Sequence, residues 1–229
     1  MASIHDGHRE RLKARFRAEG LENFDDLHVL ELLLFYAQPR RDTNPAAHAL
    51  LDRFGSLRAV LDARPEELAA VPGVGENAAM LLQLFPQVTR RYLRDSGDTG
   101  DILYTTEQCA RYLVPYFIGA HEEKVYLLCL DAKCKVLDCR QLQEGSVNAA
   151  SVSVRKVADA AIRANAASVV LAHNHTSGVA LPSQEDRETT AIVRDALAGI
   201  GIRLADHIVI AGEDYVSLAD DGFFREKDE

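Results

Sequence analysis

The sequence predicts an all-helical first part followed by an α/β or α+β part built on a mixed sheet. Up to about residue 95 the apolar residues recur with helical spacing, and beyond it short continuous apolar runs take over. Between the two lies the segment 95–101, DSGDTGD, which is polar, acidic and carries two glycines, the composition of a linker. At 229 residues, 47% hydrophobic and 27% charged, the chain has apolar material for two small cores. The expected division is a helical domain over 1–96, a linker over 97–106 and a second domain over 107–229.

In residues 8–24 the apolar positions Leu12, Phe16 and Leu21 fall near a 3.6 period, predicting a first helix. Residues 27–36 read as a buried helix, 44–54 as an amphipathic one and 56–61 as a short one. Pro65 suits the first turn of a helix over 65–70. After Gly73-Val-Gly75 the helical pattern resumes over 76–92. Beyond the linker, Val125-Tyr-Leu-Leu-Cys-Leu130 is a continuous apolar run ending at Asp131, as in a buried strand. Residues 135–142 alternate like its hairpin partner. Residues 154–167 have helical spacing, and Ser168-Val-Val-Leu-Ala172 is a buried strand leading straight into His173. Residues 186–198 are helical, ended by Gly199 and Gly201, and 203–211 form a further strand.

Composition excludes several classes of function. No apolar stretch reaches the roughly 18–20 residues of a membrane span. The N-terminus MASIHDGHRERLK lacks the apolar core of a signal peptide. Four cysteines, none in CxxC, make neither a disulfide framework nor a tetrathiolate zinc site. The expectation is a cytoplasmic protein without a membrane partner. A net charge of −9 argues against holding duplex nucleic acid mainly by phosphate neutralisation. The charge is uneven: residues 1–95 carry 13 Lys/Arg against 14 Asp/Glu, and residues 96–229 carry 13 against 21. Nucleic-acid contact, if made, is expected in the first part.

The chemistry concentrates in the segment 172–186, AHNHTSGVALPSQED. His173 and His175, two apart at the end of a strand, point to one face and can share a metal ion. Asp186 falls in the first turn of the following helix, where its carboxylate can supply a third ligand. Two His and one carboxylate with a position left open is a catalytic zinc pattern. About 0.3 HxH pairs arise by chance at this composition, and requiring Ser183 and Asp186 at fixed offsets lowers that to about 0.001. Ser183 followed by Asp186 is equally a helix N-cap arrangement, in which Ser183 caps and Asp186 favours the helix dipole. Both readings of Ser183 stand at this point.

These residues, HNHTSGVALPSQED, resemble the HxH(x)7SxxD signature of JAMM (MPN+, JAB) metallopeptidases, and more closely the bacterial RadC family with its HNHPSG…PSxxD. Arg163-Ala-Asn-Ala-Ala, Asp206-His207-Ile-Val-Ile, Tyr215-Val-Ser-Leu, Gly145-Ser-Val-Asn148 and Val154-Arg-Lys-Val157 agree with the same family, and the likeness spans roughly residues 102–224. Thr176 stands where the family usually has Pro, a position that is not a ligand. The resemblance implies a cytidine-deaminase-like three-layer domain with a mixed sheet and one zinc ion per chain held by His173, His175 and Asp186. It further implies a general acid/base glutamate before the first core strand. Eight residues back from Asp131 is Glu123, the position the family assigns, with Glu122 and Glu144 as alternatives. The family's role for the serine, support of the oxyanion, falls on Ser183. Asn174 is expected to fix the loop, His207 to be a structural histidine in an apolar strand, and Cys129, Cys134 and Cys139 to be buried thiols.

In the first part, Val71-Pro-Gly-Val-Gly-Glu-Asn-Ala-Ala79 resembles the hairpin of a helix-hairpin-helix motif, and its flanks resemble the RadC N-terminal domain. Such a hairpin offers backbone N–H groups to DNA phosphates, here around Gly73, Gly75 and Asn77. Glu76 stands where DNA-binding versions often carry a basic residue, so a protein-contacting or purely structural hairpin weighs equally. Arg9, Arg11, Arg15 and Arg17 can form a basic helix face. Three functions follow as expectations: a zinc metallohydrolase acting on a peptide or protein, a DNA-associated repair accessory protein, or a non-catalytic scaffold.

Overall fold

In a computed structural model the chain is described over residues 4–95, 100–145 and 152–224. Residues 97–99 of the expected 97–106 linker, and Ser146-Val147-Asn148 of the GSVN motif, lie outside the described residues. The chain forms two compact units, Met1–Thr89 and Arg90–Glu229.

The first unit is helical. It contains α1 (Ile4–Glu19), α2 (Asp26–Ala37), α3 (Asn44–Phe54), α4 (Leu57–Leu61), α5 (Pro65–Ala69) and the start of α6 (Glu76–Asp95). The starts are set by local chemistry. Asp25 and Ser56 accept from backbone N–H groups three residues on, and Pro65 occupies a first turn. Leu30, Leu34, Ala47, Leu50, Val60, Leu68 and Leu82 close one apolar core. Of the three residues that suggested a first helix over 8–24, only Leu12 is buried; Phe16 is exposed because α1 lays just one edge against Leu32 and Phe35, and Leu21 lies exposed beyond the helix end at Glu19. Arg9 and Arg15 do not stand free on a basic face. Arg9 donates to the carbonyls of Phe35 in the last turn of α2 and of Gln38, Pro39 and Arg41 beyond it and lies over the Phe35 ring, and Arg15 binds Glu19 and the Asn23 carbonyl.

The second unit is a five-stranded mixed sheet in the order β2-β1-β3-β4-β5, with α7 (Thr106–Leu113) on one face and α8 (Val154–Arg163) and α9 (Gln184–Ala198) on the other. Its strands are β1 (Lys124–Leu130), β2 (Val136–Glu144), β3 (Ser168–Asn174), β4 (Arg203–Ala211) and β5 (Asp214–Ser217). Only β3 and β4 run parallel, and α9 is the crossover between them. Central strands buried on both faces explain the continuous apolar runs that marked β1 and β3. Val125, Leu127, Cys129, Val169 and Leu171 face α8 and α9, while Tyr126, Leu128, Leu130, Val170 and Ala172 face α7.

The β3–β4 register slips by one residue: Val169 pairs with Leu204 but Val170 with Asp206, leaving Ala205 as a bulge. That slip turns His207 onto the face shared by Leu171 and His173, and sends Asp206 to the α7 face. There Asp206 accepts from Ser217 Oγ at 2.6 Å and from the Ala219 N–H at 3.0 Å. Helix α7 and strand β5 were not anticipated from the sequence. Among the described residues no helix is long and apolar enough to cross a membrane.

Candidate metal centre

Strand β3 delivers His173 from the face it shares with Leu171, wholly buried. His175 follows one residue past the strand, its N–H still bonded to the Ile210 carbonyl at 2.8 Å, so the backbone stays extended and both imidazoles turn the same way. The chain then turns back through Gly178, whose φ of 81° favours glycine. It enters α9 at Ser183, with Asp186 at the third helical position.

Three ligand-type side chains converge there: suitable atoms of His173, His175 and Asp186 lie within 4.8 Å of one another. His173 Nε2 and His175 Nε2 are 3.0 Å apart, His173 Nε2 is 3.2 Å from Asp186 Oδ1, and His175 Nε2 is 3.4 Å from Asp186 Oδ2. Atoms sharing one ion tetrahedrally, each about 2.0–2.1 Å from it, stand about 3.3 Å from one another. The observed separations, taken over the two Asp186 oxygens, are of that size, so this donor set fits a metal ion. The His173 and Asp186 side chains are 0% and 3% exposed and that of His175 is 17% exposed, so solvent reaches the centre past His175.

The outer contacts fix each ligand. His175 Nδ1 lies 3.1 Å from the Val179 carbonyl, which can only accept, so Nδ1 carries the proton and Nε2 presents its lone pair. Asp186 Oδ2 accepts from the Ser183 N–H at 2.7 Å and from Ser183 Oγ at 2.6 Å, while Ser183 Oγ accepts from the Asp186 N–H at 3.1 Å. Ser183 is therefore the N-cap of α9, and its hydroxyl proton is directed to Asp186. Burial pushes the Asp186 carboxyl up, but His173 and Ser183 together outweigh it and hold the group well below the usual carboxylate range.

The three candidate glutamates separate in space. Val125 pairs with His173 in the antiparallel β1–β3 ladder, so continuing the register sets Glu123 opposite His175. Glu123 also senses the charges of His175, His173 and Asp186; burial, its dominant influence, raises its carboxyl above the ordinary value. Glu122 instead leans against Gly145, where an added Cβ would stand 2.8 Å from its Oε2. Glu144 is bound 2.8 Å from Lys124 Nζ and 2.8 Å from Gln141 Nε2. Asn174, between the two histidines, brackets Glu123: its Oδ1 accepts from the Lys124 N–H at 2.7 Å and its Nδ2 donates to the Glu122 carbonyl at 3.2 Å.

His207 is no ligand in this geometry. It lies behind His173, with its Nε2 2.8 Å from His173 Nδ1 and its Nδ1 2.6 Å from Thr190 Oγ1. Burial holds its imidazole well below the ordinary value of 6.5, and the neighbouring His173 adds to the drop. The sequence reading missed Thr190; its signal is a place four residues after Asp186, on the same side of the helix. The cysteines are free. Burial pushes the thiols of Cys109, Cys129 and Cys139 up to about 11, 12 and 12, which makes them poor thiolate ligands. Cys134 and Cys139 are only half-buried.

In the first unit, Gly73 takes a φ of 84°, and a Cβ there would press to 3.2 Å from the Ala46 Cβ. Gln38 Nε2 donates to the Gly73 carbonyl at 2.7 Å. Gly75, Glu76 and Asn77 line a cleft with Arg40 and Arg41.

Comparison with known proteins agrees with this architecture. Residues 103–223 match the family model of the RadC-like JAB domain. A UPF0758 protein of Vibrio cholerae serotype O1 (strain M66-2) is 38% identical over 215 residues, covering 94% of each chain. UPF0758 proteins of Vibrio parahaemolyticus serotype O3:K6 and Aliivibrio salmonicida are 37% and 36% identical, over 94% and 93% of this chain and 94% and 95% of theirs. A helical first unit, a mixed-sheet second unit with a His-His-Asp cluster, and these matches together place the chain in the RadC family, with a RadC-like JAB domain over residues 103–223.

Proposed function

We propose that the second unit is a zinc-dependent hydrolase that cleaves a peptide or isopeptide bond. The observation that carries this is the convergence of His173, His175 and Asp186 at ligand spacing, with Glu123 facing them across the β1–β3 ladder. Zinc held by His173, His175 and Asp186 would supply a water of lowered pKa and would polarise the scissile carbonyl. Glu123, half-buried and raised above an ordinary carboxylate, is the base that would accept a proton at its carboxylate and pass it to the leaving amine. Asn174 holds the Glu123 backbone on both sides, so the carboxylate is aimed before substrate arrives. Ser183 keeps Asp186 ionised and oriented; to support an oxyanion as well, its hydroxyl must turn away from Oδ2. Purified protein is expected to carry about one zinc per chain and to lose it in His175→Ala. In a screen of peptide and isopeptide substrates, wild type is expected to cleave where Glu123→Ala, still loaded with zinc, does not. A metal-free wild type, or equal activity in the two proteins, would sink the reading.

A second reading, that the first unit touches DNA backbone through a helix-hairpin-helix, draws support from the cleft in which Gly75 and Asn77 meet Arg40 and Arg41. Binding should be independent of sequence, weaken steeply with salt and fall in Arg40→Ala/Arg41→Ala. Salt-insensitive binding, or binding unchanged in the double variant, argues against it.

A further inference from the structure

We propose that Thr190 and His207 are positioning residues that set the proton of His173, so that its Nε2 reaches the metal centre as a bare lone pair. The inference follows from counting donors along one buried chain of hydrogen bonds. Thr190 Oγ1 lies 2.5 Å from the Asp186 carbonyl oxygen, which can only accept, so the single hydroxyl proton is committed there. The other contact of Thr190 Oγ1, His207 Nδ1 at 2.6 Å, must then be an N–H donor. A neutral imidazole protonated at Nδ1 has a lone pair at Nε2, and His207 Nε2 faces His173 Nδ1 at 2.8 Å. His173 therefore donates from Nδ1, which in the neutral ring leaves its Nε2 unprotonated toward His175 and Asp186.

The chain is sealed. Thr190 and His173 are 0% exposed and His207 is 1% exposed, so no bulk water competes for these partners. The path begins and ends at Asp186: it starts at the Asp186 main-chain carbonyl, passes through α9, β4 and β3, and ends where His173 Nε2 and Asp186 Oδ1, both free to offer a lone pair to an ion, stand 3.2 Å apart. One residue thus supplies a ligand with its side chain and fixes the tautomer of a second ligand with its backbone. His207 reaches this place because of the Ala205 bulge, without which the adjacent Asp206 would occupy the face toward His173. Ligating histidines generally carry such an outer partner, and removing it typically weakens metal affinity about 10- to 100-fold.

The inference rests on the reading that the cluster holds an ion, and the experiment separates the two. In the full chain stripped of metal, long-range nitrogen–proton NMR of the imidazoles should show both His173 and His207 protonated at Nδ1. Finding His173 without a proton at Nδ1 overturns the proposal whether or not the protein binds metal. Zinc affinity is then measured by competition with a chromophoric chelator. Thr190→Val, nearly isosteric but unable to accept, is expected to bind zinc about 10- to 100-fold more weakly, and Thr190→Ser to stay within about threefold of wild type. Wild-type affinity in Thr190→Val, or equal losses in both variants, overturns it. Should Thr190→Val not fold, His207→Gln against His207→Leu asks the same question: the carboxamide can accept from His173 and donate to Thr190, and the leucine can do neither. Equal affinity in that pair overturns the proposal too. A wild type that binds no zinc defeats the metal reading alone.

Discussion

Acid should loosen the metal-stripped protein through His207, and the size of the effect follows from its burial. The ring is 1% exposed, and burial, reinforced by His173, holds it well below its ordinary value of 6.5. Unfolding returns it to water, where it takes up a proton once the pH falls below about 6.5. The unfolded chain then binds more protons than the folded one, so stability rises with pH across this window and falls on acidification. One group can contribute a slope of at most about 1.4 kcal/mol per pH unit, or up to about 2 kcal/mol by pH 5. The assay is urea unfolding of chelator-treated protein between pH 5 and 8, comparing wild type with His207→Gln. The variant carries its own offset, so the slope is what counts. Wild type should lose stability more steeply below pH 6.5, and the difference should close toward pH 8. Parallel curves would refute the claim that His207 is held neutral.

Other changes probe the neighbouring contacts. Glu123 carries the opposite sign: its carboxyl is raised in the folded state, so its ionised form costs stability above the ordinary carboxylate range. Glu123→Gln should therefore raise the melting temperature of stripped protein at pH 7, with the gain vanishing below about pH 4; a lower melting temperature at pH 7 would count against this. Ser183→Ala removes the hydroxyl that caps the Asp186 N–H and that supplies one of the two donors to the Asp186 carboxylate, a loss of about 1–2 kcal/mol by chemical denaturation together with weaker metal binding. Asn174→Ala leaves the Lys124 N–H and Glu122 carbonyl without their partner, which should cost about 1–3 kcal/mol; a change under about 0.3 kcal/mol would show that the clamp is idle.

The helical part was legible because apolar spacing, caps and breakers all act within a few residues. The expected 44–54 helix coincides with α3, and Ser56 caps the α4 it was expected to begin. Strands β1, β3 and β4 announced themselves by composition, since strands covered on both faces must be apolar throughout. Helix α7 escaped notice although Thr105 and Gln108 form a reciprocal capping box. Its eight residues are too few for a period to stand out. Strand β5 has four residues, with Asp214 and Tyr215 exposed, so nothing in its composition marks it. Glu31 shows the converse limit. It sits 1% exposed inside an apolar helix, where the contact that tells for its tolerance among the described residues is His8 of α1, 3.2 Å away.

The metal centre divides along the same line, between what is local and what the sheet assembles. His173, His175 and Asp186 lie within 14 residues because β3 and β4 are parallel. A parallel pair needs a crossover, and here the loop over 175–183 turns back at once into α9, so the last residues of the strand and the first turn of the helix meet. That meeting is written in the sequence as a spacing. Glu123 lies 50 residues before His173, and only the antiparallel β1–β3 pairing carries it there, by placing the start of β1 beside the end of β3. No local pattern fixes that register, which is why counting back from Asp131 named Glu123 without separating it from Glu122 on physical grounds. His207 needed one thing more, the slip at Ala205 that turns it toward His173. The residues that could hold an ion are thus readable from the chain. The neighbours proposed to aim a base and to set a ligand's proton depend on register, and register is a property of the folded sheet.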